Sequence, residues 1–443
     1  MRAFLPALAA LLLLVAHGKA ADFLVIAPRA FAPALEEFVA FKNTRLPTQF
    51  IALEAILATT AGLDDAEKVK RFLHAQWQAG KCAYALLAGD ADVFPVRYMV
   101  LDRITPEAFD YAFYPSDHYY ADLANSDGAF EDWNAQQEGF HAGYFGEVRG
   151  EKNKGEPINY DAIDYQPEIA VGRWTVSTPE AAQAVAAKTI AVEKAREERS
   201  DIQRKAALIG ATGWIDTDPH FDRVEKTLAS AWTIERRLFQ KQTKARENKE
   251  PLVALWNAGY DLILHAGHGN PWDWEQCFTV KELPQLENPA RVPVVFSAGC
   301  STAYFAALAP YDGYMDVNGQ EHAGTYRKQV FTAPPPPPAN YQRGQYNKTG
   351  LGEELVRMPA GGAVAYIGCN TGSQPCGLTL QRGFVNAAVI PGIRLGDAWI
   401  EAMRYYQDKE RLAELKPDGG WYPPSIFFQG MKFMVFGDPT LEL

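Results

Sequence analysis

The chain has 443 residues, 47% hydrophobic and 22% charged. This is a globular composition that excludes a disordered, collagen-like or coiled-coil chain, and the length calls for about two to four packed units. Forty-three basic residues against 54 acidic ones leave a formal net charge of −11. That excludes a general nucleic-acid binder, whose affinity rests on neutralising phosphates, and no basic run reverses the balance locally.

Residues 1–20 read as a secretory signal peptide. Arg2 supplies a positive start, 8–16 is an apolar Leu-rich run, and Gly18-Lys19-Ala20 puts small residues where cleavage is read. The apolar run is well short of the ~20 residues needed to span a bilayer, and no later stretch is long enough. The expectation is an exported protein, periplasmic or secreted, with no membrane span. After cleavage, 41 basic residues face 54 acidic ones. Five cysteines (Cys82, Cys277, Cys300, Cys369, Cys376) are too few for a disulfide scaffold in an exported chain of this size.

An N-terminal α/β subdomain is expected over 21–200. Strands at 23–27, 50–53 and 84–88 alternate with helices at 34–42 and 64–78, the grammar of a mostly parallel sheet flanked by helices. Periodicity is lost over 111–166, an Asp/Asn/Gly/Tyr-rich insertion. A strand at 168–173 follows, then a helix to about 198 opened by Ser177-Thr178-Pro179-Glu180. A second α/β subdomain is expected over 201–443. Its strands fall at 206–210, 260–265, 292–297, 362–368 and 431–436, and its helices at 221–232, 302–308 and 351–358. Its own insertion, 312–347, carries five consecutive prolines at 334–338, read as stiff surface polyproline.

Catalytic groups in such sheets sit outside the carboxyl ends of strands. His268 and Cys300 both follow strand ends, 32 residues apart, the length of one crossover. A thiol at the start of the expected 302–308 helix would feel the helix's positive end. His268 would pair with the thiolate or move its proton. The N–H groups of Gly269 and Cys300 suit an oxyanion hole, and Gly267 and Gly299 allow sharp backbone turns. Each residue alone reads as structural; together they point to a cysteine nucleophile. There is no Gly-x-Ser-x-Gly elbow, no His-Glu-x-x-His and no phosphate loop. His265 and His268 lack a third zinc ligand nearby.

Leu262–Gly269 and Val294–Cys300 resemble the His-Gly and Ala-Cys motifs of the gingipain family of cysteine peptidases (peptidase family C25). Leu86–Pro95, Glu168–Arg173 and Phe436–Leu441 resemble further segments of that family in the same order. The resemblance implies a caspase-like fold of two tandem α/β subdomains and a cysteine endopeptidase acting on protein or peptide substrates without a required cofactor. His268 is then the general acid/base, Cys300 the nucleophile, and Gly269 with Cys300 the oxyanion donors. It implies a carboxylate for a basic P1 side chain, closest at Asp218, although Asp218-Pro219 also reads as a plain helix start. Cys369 and Asn370 fall at the substrate pocket, and Cys369 with Cys376 is the expected disulfide. The family's frequent calcium directs attention to Asp117 and Asp122, in a loop that reads equally as a solvated acidic segment and fails the EF-hand pattern at Leu123. Three departures stand out: no acid in Ala211–Trp214, Gly299 where Ala is usual, and no Trp after Cys369. A transpeptidase of the same fold, or a non-catalytic binding module, are the alternative readings.

Overall fold

The computed structural model describes residues 23–100, 105–134, 138–146, 163–199, 203–211, 216–229, 231–238, 249–275, 277–411 and 429–443. The expected signal peptide lies outside them. Ten strands form one sheet: β1 (Phe23–Ala27), β2 (Thr48–Ala52), β3 (Tyr84–Ala88), β4 (Ala170–Trp174), β5 (Arg204–Gly210), β6 (Trp232–Leu238), β7 (Leu262–Ala266), β8 (Val294–Ser297), β9 (Ala365–Cys369) and β10 (Phe433–Phe436). Their spatial order is β2-β1-β3-β4-β10-β9-β8-β7-β5-β6. The neighbours from β2 to β4 and from β9 to β6 pair in parallel. β10 is antiparallel to β9 and meets β4 at a single registered pair, Phe436 opposite Arg173. The two α/β halves therefore share one continuous sheet, closed in the middle by the last strand of the chain.

Strand side chains alternate between two cores, one on each face. Leu24, Ile26, Leu87 and Phe296 belong to one; Phe23, Val25, Leu86 and Val295 belong to the other. Burial on both faces explains why most strands read as unbroken apolar runs. The two edge strands are the exceptions: β2 is only partly buried, and β6 carries Glu235-Arg236-Arg237 with its side chains half in water. The polarity of β6 hid it, and the helix expected to reach Trp232 stops at Leu228.

Both insertions contribute buried structure where they are described. Tyr114, Tyr119, Tyr120 and Trp133 are buried, as is the Arg173–Asp117 ion pair (2.6 Å). The proline run is half-buried rather than on the surface. The carbonyl of Pro335 accepts the Tyr144 hydroxyl (2.6 Å), that of Pro336 the Tyr314 hydroxyl (2.9 Å), and that of Pro337 the Val317 N–H (3.0 Å). A polyproline segment has no internal hydrogen bonds, so its carbonyls are free to serve as acceptors. Here the Pro335 carbonyl ties the second insertion to the first, and the other two brace the second insertion against itself.

Candidate active site

The site grows out of the register of β7 and β8. His265 stands opposite Ser297 at the ends of these parallel strands. Three residues further on, each strand has delivered one reactive side chain, His268 and Cys300. The two loops touch. A Cβ on Gly269 would lie 3.0 Å from the Cys300 carbonyl oxygen and 3.3 Å from Gly299 Cα. Gly267 is required twice over: its φ is +143°, and a Cβ there would come within 2.8 Å of the Ala211 carbonyl oxygen beyond β5.

Cys300 is half-buried, and its thiol donates to the Ser373 carbonyl at 3.5 Å. His268 is exposed, and its ring has no hydrogen-bond partner among the described residues. No helix follows Cys300. Ser301 adopts a left-handed φ of +55° and sends its N–H to Thr371 O (2.7 Å), while the Ala303 N–H goes to Cys369 O (3.0 Å). The backbone donors that would have begun a helix are taken by the extension of β9. The expected helix-dipole contribution to the thiol is therefore absent, and a close loop from β9 stands in its place.

Beneath the two loops lies a buried, uncharged network. His265 Nδ1 meets Ser297 Oγ at 2.8 Å. Ser297 Oγ also accepts from Thr302 Oγ1 (3.0 Å) and from the Gly299 N–H (3.3 Å). The Tyr366 hydroxyl bonds Ser297 and Thr302, and accepts from Trp274 Nε1 (3.2 Å). The His265 ring stacks on Trp274 with centroids 4.4 Å apart and planes 4° from parallel. Burial pushes His265 down to about 3, so it stays neutral. Gly299 is explained by this ring, since a Cβ there would sit 2.9 Å from His265 Cε1.

The remaining sequence-predicted residues fall differently. Asp218 is the first residue of the helix Asp218–Leu228, whose N-cap is Thr217. It is exposed and stands on the same edge as Cys300, beyond the end of β5, the strand next to β7. Further along the same helix, Asp222 is engaged by Arg236 (2.9 Å). The backbone after β9 does reach the nucleophile loop, but its side chains turn inward. Cys369 is buried, and Asn370 Nδ2 donates to the Pro115 carbonyl. The expected Cys369–Cys376 disulfide is absent, and both residues are reduced. Burial pushes Cys369 and Cys376 each up to about 12, consistent with inert core thiols.

Of the two calcium-directed residues, Asp117 has both oxygens on Arg173 (2.6 and 2.7 Å). Asp122 instead gathers with Glu131 and Asp164, with ligand oxygens within 4.8 Å of one another. Asp122 Oδ1 and Glu131 Oε2 are buried without a hydrogen-bond partner. An all-oxygen, acidic donor set with orphaned oxygens suits a hard cation. The buried Lys70 ammonium is an electrostatic neighbour of both Asp122 and Glu131.

Sequence reasoning missed Trp272, 58% exposed on the loop that follows His268. It also missed Ser297 and Thr302, whose hydroxyls flank Gly299-Cys300. Ser297 sat within the motif, but nothing in a strand-end serine announces its partners. Trp272 lies in a polar turn, Asn270–Asp273, and a Trp there was the available signal.

A ten-stranded, mostly parallel sheet with helices on both faces and a thiol-bearing strand-end loop is the architecture of the gingipain-type cysteine peptidases. Residues 16–443 match the profile of peptidase family C25, and the chain belongs to that family. Among solved structures it is similar to the Arg-specific cysteine proteinase gingipain R (RgpB), at 16% identity and a TM-score of 0.61, covering 96% of this chain and 78% of that one. It is likewise similar to the complex of Porphyromonas gingivalis RgpB pro- and mature domains, at 16% identity and 0.60, covering 95% and 79%. No curated protein sequence matches the chain. No helix among the described residues is long and apolar enough to cross a membrane.

Proposed function

We propose that the protein is an exported cysteine endopeptidase working through Cys300 and His268. The observation that carries this reading is the contact between the Gly269 and Gly299–Cys300 loops at the ends of two registered strands. His268 takes the Cys300 thiol proton as the sulfur attacks the scissile carbonyl carbon, so the S–H bond breaks as the C–S bond forms. The carbonyl oxygen takes up negative charge facing the N–H groups of Gly269 and Cys300. As the C–N bond breaks, His268 passes a proton to the leaving amine. Water then gives a proton to His268 and attacks the thioester, releasing the acid and restoring the thiol. Trp272, exposed on the loop that follows His268, offers an apolar surface to the substrate chain. The buried hydroxyls of Ser297, Thr302 and Tyr366 hold the nucleophile loop.

Asp218 is proposed to bind a basic P1 side chain, since its carboxylate has no ion-pair partner among the described residues and faces water on the same edge. Incubation of the purified protein with a mixed peptide library, read by mass spectrometry, tests both points. Cleavage after Arg or Lys that fades in Asp218→Ala is expected. No cleavage and no ligation product would remove the enzymatic reading; cleavage dominated by apolar or acidic P1 residues would remove the role of Asp218.

Ca²⁺ at Asp122, Glu131 and Asp164 is proposed as a structural ion that would neutralise buried carboxylates. Added Ca²⁺ should then raise Tm by a few degrees, on the order of the stabilisation a bound ligand gives at a hundred times its Kd. Asp122→Asn should abolish the rise. An unchanged wild-type melting curve in millimolar Ca²⁺ would count against the ion.

A further inference from the structure

At the opposite edge of the sheet, where β5, β7 and β8 begin, lies a cleft of about 440 Å³. This is within the usual range for small-molecule sites. It is separate from the proposed catalytic site, because Leu262 and Val294 line it while His268 and Cys300 follow the other ends of the same strands. Seven cationic and four anionic side chains line it.

Three of the four acids are spent on particular cations, and the fourth, Glu442, is with Asp397 an electrostatic neighbour of Arg394. Lys42 pairs with Glu193, Arg45 with Glu197 (2.6 Å), and Arg291 with Asp261 (2.9 Å). Arg196, Arg204 and Arg394 have no carboxylate within ion-pair distance among the described residues. Arg196 donates to the Glu442 backbone carbonyl (2.6 Å), Arg394 to the Tyr84 hydroxyl (3.1 Å), and Arg204 lies over the Trp232 ring at 5.4 Å. All three are half-buried. Desolvation holds Arg196 down to about 10 despite Asp261 and Glu193 nearby, so the local charge is under-compensated.

Guanidinium groups are expensive to gather without counter-charge, and their fork geometry matches phosphate and carboxylate oxygens. The rest of the wall is apolar: Leu46, Trp232, Leu262, Val294 and Phe384. We propose that this cleft binds a small organic anion, a phosphate or carboxylate carried on an apolar body, with Arg196, Arg204 and Arg394 holding the charged group.

The test is calorimetric titration of the full-length protein with phenyl phosphate, inorganic phosphate and benzoate at low ionic strength. One-to-one binding of phenyl phosphate or benzoate is expected, with the preferred arm identifying the charged group and inorganic phosphate binding more weakly than its phenyl ester. Arg204→Gln should weaken binding about tenfold, as loss of a charge-assisted hydrogen bond does, and Arg196→Gln should do the same. Cys300 labelling by a thiol reagent should be unchanged in both, which shows the variants are folded. The proposal is overturned if neither organic anion binds at about 10 mM, if both variants bind as the wild type does, or if inorganic phosphate binds as tightly as its phenyl ester.

Discussion

Strands β7 and β8 leave one edge of the sheet through Gly267 and Gly299 into loops packed against each other, and they start at the other edge beneath a cleft lined with guanidinium groups. Four or five residues of strand, roughly 15 Å, separate the two environments. At the first edge the buried groups next to the thiol loop are neutral: an unprotonated His265, the hydroxyls of Ser297, Thr302 and Tyr366, and the Trp274 ring. At the second, charge is concentrated and only partly paired. The contrast shows two ways to fix a position. Uncharged hydrogen bonds and glycine-mediated backbone approach hold the thiol loop without imposing a field on it, whereas the cleft maintains a field that an anion can answer.

The sharpest break of this comparison is removal of the reactive pair. Cys300→Ala should lose at least about a thousandfold in turnover, and His268→Ala a similar amount. The double variant should be little worse, because groups acting as a unit do not add. Thermal stability should be nearly unchanged, since Cys300 is only half-buried and His268 is exposed. Peptide-cleavage rates and a melting curve decide it, and an active Cys300→Ala protein would refute the dyad.

Next comes the contact between the loops. Gly299→Ala would place a Cβ 2.9 Å from the His265 ring and 3.2 Å from Thr302 Cγ2. The crowding should cost about 1–3 kcal/mol in a urea titration. Moving the loop should also lower turnover by about ten- to a hundredfold, as small displacements of reacting groups do. A fully active, equally stable variant would mean that the loops have slack.

The smallest effect separates neutral from charged support. His265 sits at about 3 in the folded protein against an ordinary 6.5. Between these values the unfolded chain takes up a proton that the folded chain refuses, so this residue's contribution falls as pH drops below 6.5. At pH 5 the loss is about 2 kcal/mol. The stability advantage of wild type over His265→Gln should therefore shrink by about that much between pH 7.5 and pH 5. A pH-independent difference would show that His265 is not held neutral by burial.

Much of the fold was legible because doubly buried strands announce themselves. Phe23–Ala27 and Tyr84–Ala88 have the expected boundaries, and the strands leading to His268 and Cys300 lie within two or three residues of theirs. What failed depended on partners distant in sequence. Segment 302–308 has helical composition, but Thr371 takes the N–H of Ser301 just before it and Cys369 takes the N–H of Ala303 within it. The proline run looked like surface until Tyr144 and Tyr314 supplied donors for its carbonyls. Asp117 looked like a calcium ligand until Arg173, 56 residues away, claimed it. For the site, residue identity and strand-end position were readable; the hydroxyl network and the exposure of Trp272 were not, because neither has a local sequence signature.

The position of β10 bears on how the protein comes to be folded. Phe433–Phe436 is the last strand in the chain, yet it lies between β4 and β9. Until it is in place, both inner strands present open hydrogen-bonding edges. The join then relies on tight fits: a Cβ on Gly172 would clash with the Gly437 carbonyl oxygen, and Lys42 reaches Asp438 at 2.7 Å. Domains often fold as they emerge during synthesis, but this sheet cannot be completed until Phe433–Phe436 is available. A polypeptide that has not yet delivered Phe433–Phe436 therefore keeps its two inner strands unjoined, and with them the two α/β halves of the sheet.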